Sequence, residues 1–204
     1  MGGRVPPAHF FRAQEALSHS GPERVVVRSI EAGVTVYSPH TALDAVPGGV
    51  NDWLAESLGP GVARAIELKG ESGDPLCGSG RLVTLEREVS FEDLVARVKK
   101  SLGLERIRVA KSPSGTVVRT VALCPGAGGS VICSEAADLY LTGEMRHHDV
   151  LAANARGTSV ILGEHSNTER GYLGRFRELL LSRLGLDDDR VIVSQVDSDP
   201  ISIA

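Results

Sequence analysis

Residues 138–171, DLYLTGEMRHHDVLAANARGTSVILGEHSNTERG, constrain this chain more than any other stretch. Apolar runs over 138–141 and 158–162 read as strands. They flank a helix from about Arg146 to Ala155, and the second run leads sharply into a long helix. Side chains of the metal-coordinating type crowd into the same stretch: Glu144, His147, His148, and the pair His165 and Glu169. Residues four apart share one helix face, so an imidazole and a carboxylate project together if the helix has begun at His165. That combination suits a borderline divalent cation such as zinc, manganese or iron. The pair also follows the C-terminal end of a buried strand, where open α/β sheets place their ligands.

A second chemistry fits the same residues. Ser166-Asn167-Thr168-Glu169 has the S-x-x-E form of a capping box, in which the glutamate bonds back to the Ser166 N–H. On pattern alone the cap is the commoner use of such a run, and two ligands do not make a metal site. His147 and His148 are adjacent and point about 100° apart on their helix, so at most one of them can face a given pocket.

Composition narrows the class. A hydrophobic fraction of 42%, 23 glycines and few aromatics fit an α/β protein rich in tight turns. A net charge of −4 gives no electrostatic footprint for direct nucleic-acid binding or for an anionic membrane. No apolar run approaches the ~20 residues that cross a bilayer. The opening residues lack both the apolar core of a secretory signal and the myristoylation pattern. The three cysteines, Cys77, Cys124 and Cys133, lack C-x-x-C spacing. They point to free thiols in a reducing compartment, cytoplasmic and also nuclear.

Taken in order, the chain has an atypical N-terminal segment over 1–22. A helix over 23–32 leads to a β-branched strand over Val34–Tyr37. His40 and Asp44 occupy the loop after that strand. Asn51 can cap a helix reaching Leu58, with Val50, Trp53, Leu54 and Leu58 as its apolar stripe. The glycine- and proline-rich run over 70–80 reads as a connection between lobes. A strand over 81–87 precedes a helix over 91–102, with Ser90 as its cap, Phe91, Leu94, Val95 and Val98 on one face, and Gly103 as its stop. Strands follow over 107–110 and 117–123. Gly126, Gly128 and Gly129 then open a short helix, where glycines let backbone amides approach an anion or simply allow a tight turn. The helix over 167–184 is expected to bury Leu173, Phe176, Leu180 and Leu184. A final strand is expected over 190–194 and a tail over 198–204.

Three runs, VYSPHTALDAVPGGVNDWLA (36–55), ALCPGAGGS (122–130) and the stretch 137–173, are similar in content and order to the Nif-three-like family, often labelled GTP cyclohydrolase type-two homologues. The sequence resembles the family's animal members over roughly 23–200. The resemblance implies a two-lobed α/β fold with mixed sheets flanked by helices. On this chain it gives a first-lobe remnant over 23–75 and a second lobe over 76–204, whose C-terminal helix and strand close a dinuclear metal cleft. It further implies that Asp44 is a ligand bridging two ions and that His165 and Glu169 supply the far side. His40, Gly126, Gly128, Gly129, Glu144, His147 and His148 would line the cleft or support its ligands.

One departure stands out. The family's histidine-containing motif, expected upstream of the SPHT run, has no counterpart at Arg4-Val5-Pro6-Pro7, and neither His9 nor His19 matches its place. The chain therefore reads as a member lacking its N-terminal portion, with a truncated first lobe and an incomplete site. Two functions follow from the resemblance. One is a metal-dependent, cyclohydrolase-like hydrolase acting on a nucleotide-like substrate. The alternative is a non-catalytic, homo-oligomeric interaction protein working with transcription-regulatory partners.

Overall fold

A computed structural model describes residues 23–70, 73–114, 116–197, 199 and 201. The segment expected over 1–22 and most of the expected tail lie outside the described residues. The chain divides into two compact units, Met1–Pro39 and His40–Ala204. The described part of the first holds α1 (Glu23–Glu31), which closes with the Val34 N–H on the Ser29 carbonyl at 2.8 Å. The strand expected over Val34–Tyr37 does not form. Val34, Val36 and Tyr37 are exposed, and no described strand pairs with them. An extended segment without a ladder partner gains nothing from its backbone hydrogen-bonding groups.

The second unit is built on one six-stranded mixed sheet. Its strands are β1 (Gly61–Leu68), β2 (Gly78–Ser90), β3 (Arg108–Ala110), β4 (Val117–Cys124), β5 (Leu139–Thr142) and β6 (Ser159–Leu162). The spatial order is β1-β2-β4-β5-β6-β3. The three central strands β4, β5 and β6 are parallel, and β1, β2 and β3 join antiparallel. The lobe boundary expected near residue 75 falls in the connection between β1 and β2, which pair along their length in this one sheet.

Both faces of the central strands are covered, so β5 and β6 are buried without interruption. Side chains alternate between two cores as the pleat requires. Val121, Leu123, Leu139, Leu141 and Ile161 face one core with Leu54, Leu58, Leu94 and Val98. Ala122, Tyr140, Val160 and Leu162 face the other with Ile132 and Ala153. Helices α3 (Val50–Glu56) and α4 (Phe91–Leu102) cover the first core and α5 (Gly129–Ile132) and α6 (His147–Ala155) the second, and the unit also holds α2 (Ala42–Ala45), α7 (Asn167–Arg170) and α8 (Tyr172–Leu184). Helix α4 follows its sequence signals. The Ser90 hydroxyl accepts from the Asp93 N–H at 3.1 Å, and Gly103 ends the helix in the left-handed region at φ 68°.

Three expectations are corrected by tertiary packing. Asn51 does not cap α3. It lies inside the helix, fully buried, and its Nδ2 donates to the Asp44 carbonyl at 3.1 Å. The long helix over 167–184 is broken at Gly171, where the Trp53 ring occupies the space a side chain would need. Of the four residues expected to be buried, Phe176 and Leu180 are half-buried and Leu173 and Leu184 are exposed, while Tyr172 and Leu181 are buried instead. The final strand over 190–194 does not form either. A short 3-10 turn (Asp188–Arg190) stands at its start, Arg177 Nε takes the Val191 carbonyl at 2.9 Å, and Ile192 is exposed.

Arg81 of β2 is the largest fully buried side chain among the described residues. Its Nε pairs with Asp52 of α3, and its Nη1 donates to the Gly78 and Gly80 carbonyls, both at 2.8 Å. Asp52 also accepts the Gly48 N–H at 2.6 Å. A buried guanidinium with its counter-ion and carbonyl acceptors thus fastens the α2–α3 segment, and Asp44 with it, to the sheet.

Candidate functional site

The parallel strands β4, β5 and β6 end side by side, and the loops beyond them are cross-linked by backbone hydrogen bonds. The Glu144 N–H donates to the Gly126 carbonyl at 2.9 Å, the Gly163 N–H to Thr142 at 3.0 Å, and the Glu164 N–H to Gly143 at 3.2 Å. Close approach explains Gly143, where an added Cβ would sit 2.6 Å from the Gly126 carbonyl oxygen and 2.9 Å from that of Glu164. Gly126 adopts φ 61°, and a Cβ there would lie 3.0 Å from His165 Nε2 and still nearer the Glu169 carboxylate. Only glycine meets both demands without strain.

Thr168 ties the arrangement together. It is fully buried, and its Oγ1 accepts the Gly126 N–H at 2.9 Å while facing the His165 carbonyl at 2.8 Å. The first turn of α7 is thereby locked to the glycine loop after β4. Just before it, Glu164 stands at φ 66°, a left-handed conformation that costs a non-glycine residue about 1 kcal/mol or more. Its buried carboxylate is held by Arg108 Nε at 2.6 Å.

Within this frame His165 and Glu169 do share a face, with Nε2 to Oε1 at 3.6 Å. The other ring nitrogen, Nδ1, is 2.8 Å from Glu144 Oε1. The capping box, the alternative use of this run, is absent. Ser166 makes no side-chain cap, and Asp199 Oδ2 accepts the Ser166 N–H at 3.2 Å. Glu169 is left free to face the glycine loop.

Electrostatics join Asp44 to the group. Glu169 is held above the ordinary carboxyl range, first by burial, against the pull of His165, and further by the negative charges of Asp44 and Glu144. Asp44 is also raised by burial, opposed by His40, Lys69 and Arg81. His40, exposed and at φ 44°, lowers both carboxyls. Cys124, beneath the loop, has its thiol pushed up to about 12, mainly by burial and next by Asp44, which leaves it a poor nucleophile and a poor ligand. Among the described residues, no three His, Cys, Asp or Glu side chains are grouped as a metal site would group them.

The remaining sequence candidates divide. Gly126 and Glu144 belong to the cluster directly. Gly128 and Gly129 serve packing: Gly128 lies against the Cys124 backbone and Gly129 against Glu144 and Met145. His147 and His148 are exposed at the start of α6, with ring centroids 5.7 Å apart in an edge arrangement. Among the described residues, no hydrogen bond or ion pair joins them to His165 or Glu169. Sequence reasoning missed Thr168, Glu164 and Asp199. Thr168 had a visible signal, as the residue before Glu169 at a helix start. The other two are defined by contacts that sequence spacing does not encode.

Residues 7–200 match the model of the Duf34/NIF3 (NGG1p interacting factor 3) family. The chain belongs to that family. It is 40% identical over 198 residues to NGG1-interacting factor 3 of Saccharomyces cerevisiae, covering 91% of this chain and 68% of that protein. It is 33% identical over an alignment of 286 positions, gaps included, to NIF3-like protein 1 of Homo sapiens, covering 97% of this chain and 75% of that one. The NIF3 likeness therefore extends to fungal members as well as animal ones. A Bacillus cereus protein related to NIF3 has the same fold, with a TM-score of 0.74 at 17% identity over 89% of this chain and 77% of that one. No helix among the described residues of this NIF3-family chain is long and apolar enough to cross a membrane.

Two outcomes test the geometry. Thr168→Val keeps shape but strands the Gly126 N–H in a buried position, at about 1–3 kcal/mol. The expected fall in Tm is roughly 2–10 °C, with Thr168→Ser close to wild type in thermal denaturation. The second concerns charge. Between the ordinary carboxyl pKa and its raised folded value, the folded chain holds a proton on Glu169 that the unfolded chain has lost. Stability from this group therefore falls as pH rises through that window. Glu169→Gln should raise Tm at neutral pH in cation-free buffer, and the gain should vanish under acid.

Proposed function

We propose that this NIF3-family protein binds a divalent cation (zinc, manganese or iron) through Asp44, His165 and Glu169, with Glu144 orienting the imidazole, for hydrolysis of a nucleotide-like substrate. The observation that carries the reading is the arrangement around His165. Glu144 engages Nδ1, while Nε2 is presented beside the Glu169 carboxylate at 3.6 Å. A ligating histidine commonly directs its second nitrogen to a carboxylate that fixes tautomer and ring orientation. Asp44 and Glu169 are two desolvated carboxyls whose charges oppose one another, a position that a cation relieves.

The donor chemistry fits a hard-to-borderline cation, and its number is short. An imidazole with two carboxylates makes a half-site rather than the paired site the family resemblance implied, so weak binding is expected. A bound cation would supply Lewis acidity and lower the pKa of an attacking water. The residues themselves do the rest. Glu144 holds the His165 ring in place, Gly126 keeps the space above Glu169 open, and Arg81 through Asp52 fixes the segment that carries Asp44. Glu169, raised by burial, is also suited to hold or release a proton near the reacting group.

A second reading is a non-catalytic interaction protein that assembles with copies of itself and acts in transcriptional coregulation. It is favoured by the name of the yeast relative, NGG1-interacting factor 3, and by Leu173, Leu179, Leu184 and Leu186, which α8 and the turn after it leave exposed.

Metal analysis of the purified chain separates the two. After equilibration with zinc or manganese and removal of excess, wild type should retain cation that Asp44→Ala and Glu169→Ala both lose. A well-folded wild type that retains none would remove the hydrolase reading and leave the interaction reading.

A further inference from the structure

The sequence at 166–169 offers Glu169 two uses, and the fold selects one of them through a residue some thirty positions downstream. In a capping box the glutamate at the third helical position takes the backbone N–H of the cap residue. Here that donor, the Ser166 N–H, is already accepted by Asp199 Oδ2 at 3.2 Å. The Asp199 carboxylate is itself set by the Ile201 N–H, which donates to Oδ1 at 2.9 Å in a local side-chain turn. Two residues upstream, Asp197 Oδ2 accepts from Arg170 Nε at 2.7 Å, so the segment is fastened to α7 at both ends of that short helix. Glu169 meanwhile turns toward Gly126 and His165.

From this we infer that Asp199 is a positioning residue for the site. By occupying the Ser166 N–H it denies Glu169 its local capping partner and keeps the Glu169 carboxylate facing the glycine loop. The inference rests on the cation-binding reading for its consequence, though the geometry it describes does not require a cation. The physical reason is competition for one donor. An unpaired first-turn N–H draws in the nearest free acceptor, because leaving it unmade is costly. With Asp199 removed, that acceptor is Glu169, one helical turn away on the same face.

The test uses the full chain and two substitutions. Asp199→Ala removes the acceptor. Asp199→Asn keeps an oxygen that can still accept the Ser166 N–H while removing the charge. Crystal structures of the variants give the position of Glu169 directly, and titration calorimetry with Mn2+ alone gives affinity. Asp199→Ala should place the Glu169 carboxylate within hydrogen-bonding distance of the Ser166 N–H and weaken Mn2+ binding about tenfold, as loss of a supporting residue does. Asp199→Asn should leave Glu169 beside Gly126 and hold affinity near wild type. Equal weakening in both variants, with Glu169 unmoved, would assign Asp199 a mere charge effect and overturn the inference. Glu169 unmoved in Asp199→Ala at unchanged affinity would overturn it as well. Failure of wild type to bind Mn2+ would count against the cation reading alone, and the position of Glu169 in Asp199→Ala would still decide this one.

Discussion

The hydroxyl of Thr168 is the interaction on which the site depends. One oxygen accepts the Gly126 N–H and faces the His165 carbonyl, so the loop after β4 and the turn after β6 are a single rigid piece. The loop after β5 is fastened to the same piece by the Glu144 N–H on the Gly126 carbonyl. The ends of three parallel strands thus set Glu144 and Glu169 on either side of the His165 ring. Buried donors and acceptors that satisfy each other in this way specify one arrangement, because each alternative leaves a polar group unpaired.

That rigidity is accompanied by local unfavourable terms. Glu164 is held in a left-handed conformation, and Asp44 and Glu169 are carboxyls lifted by burial. Strain and desolvation are thus concentrated around the same few residues. The surroundings offset them. Two fully covered faces of the central sheet supply the apolar burial, and Arg81 with Asp52 clamps the Asp44 segment from below.

Much of this was legible in the sequence. The apolar runs read over 138–141 and 158–162, the Ser90 cap and the Gly103 stop are local signals, and the strands form within a residue of those bounds, at Leu139–Thr142 and Ser159–Leu162. The i, i+4 spacing of His165 and Glu169 placed them on one face, as found. What was not legible depends on partners distant in sequence. On α8, Leu173 and Leu184 are exposed although their spacing pointed inward, and the Trp53 ring lies where a side chain at 171 would stand. Asn51 looks like a cap, yet tertiary packing buries it against the Asp44 carbonyl. The runs at 34–37 and 190–194 have strand composition, but no neighbour among the described residues gives either a ladder. The capping box that the run 166–169 offers does not form, because Asp199 takes the Ser166 N–H, a contact that the four residues of the motif cannot reveal.

The most direct test of the account is an anomalous difference map from crystals of the full chain equilibrated with Mn2+ and measured at a wavelength where manganese scatters anomalously. A peak is expected at ligand distance from His165 Nε2 and a Glu169 oxygen, on the side where Gly126 leaves space and toward Asp44. A peak at the His147 and His148 pair instead, or none beside His165 in crystals grown at saturating Mn2+, would contradict it.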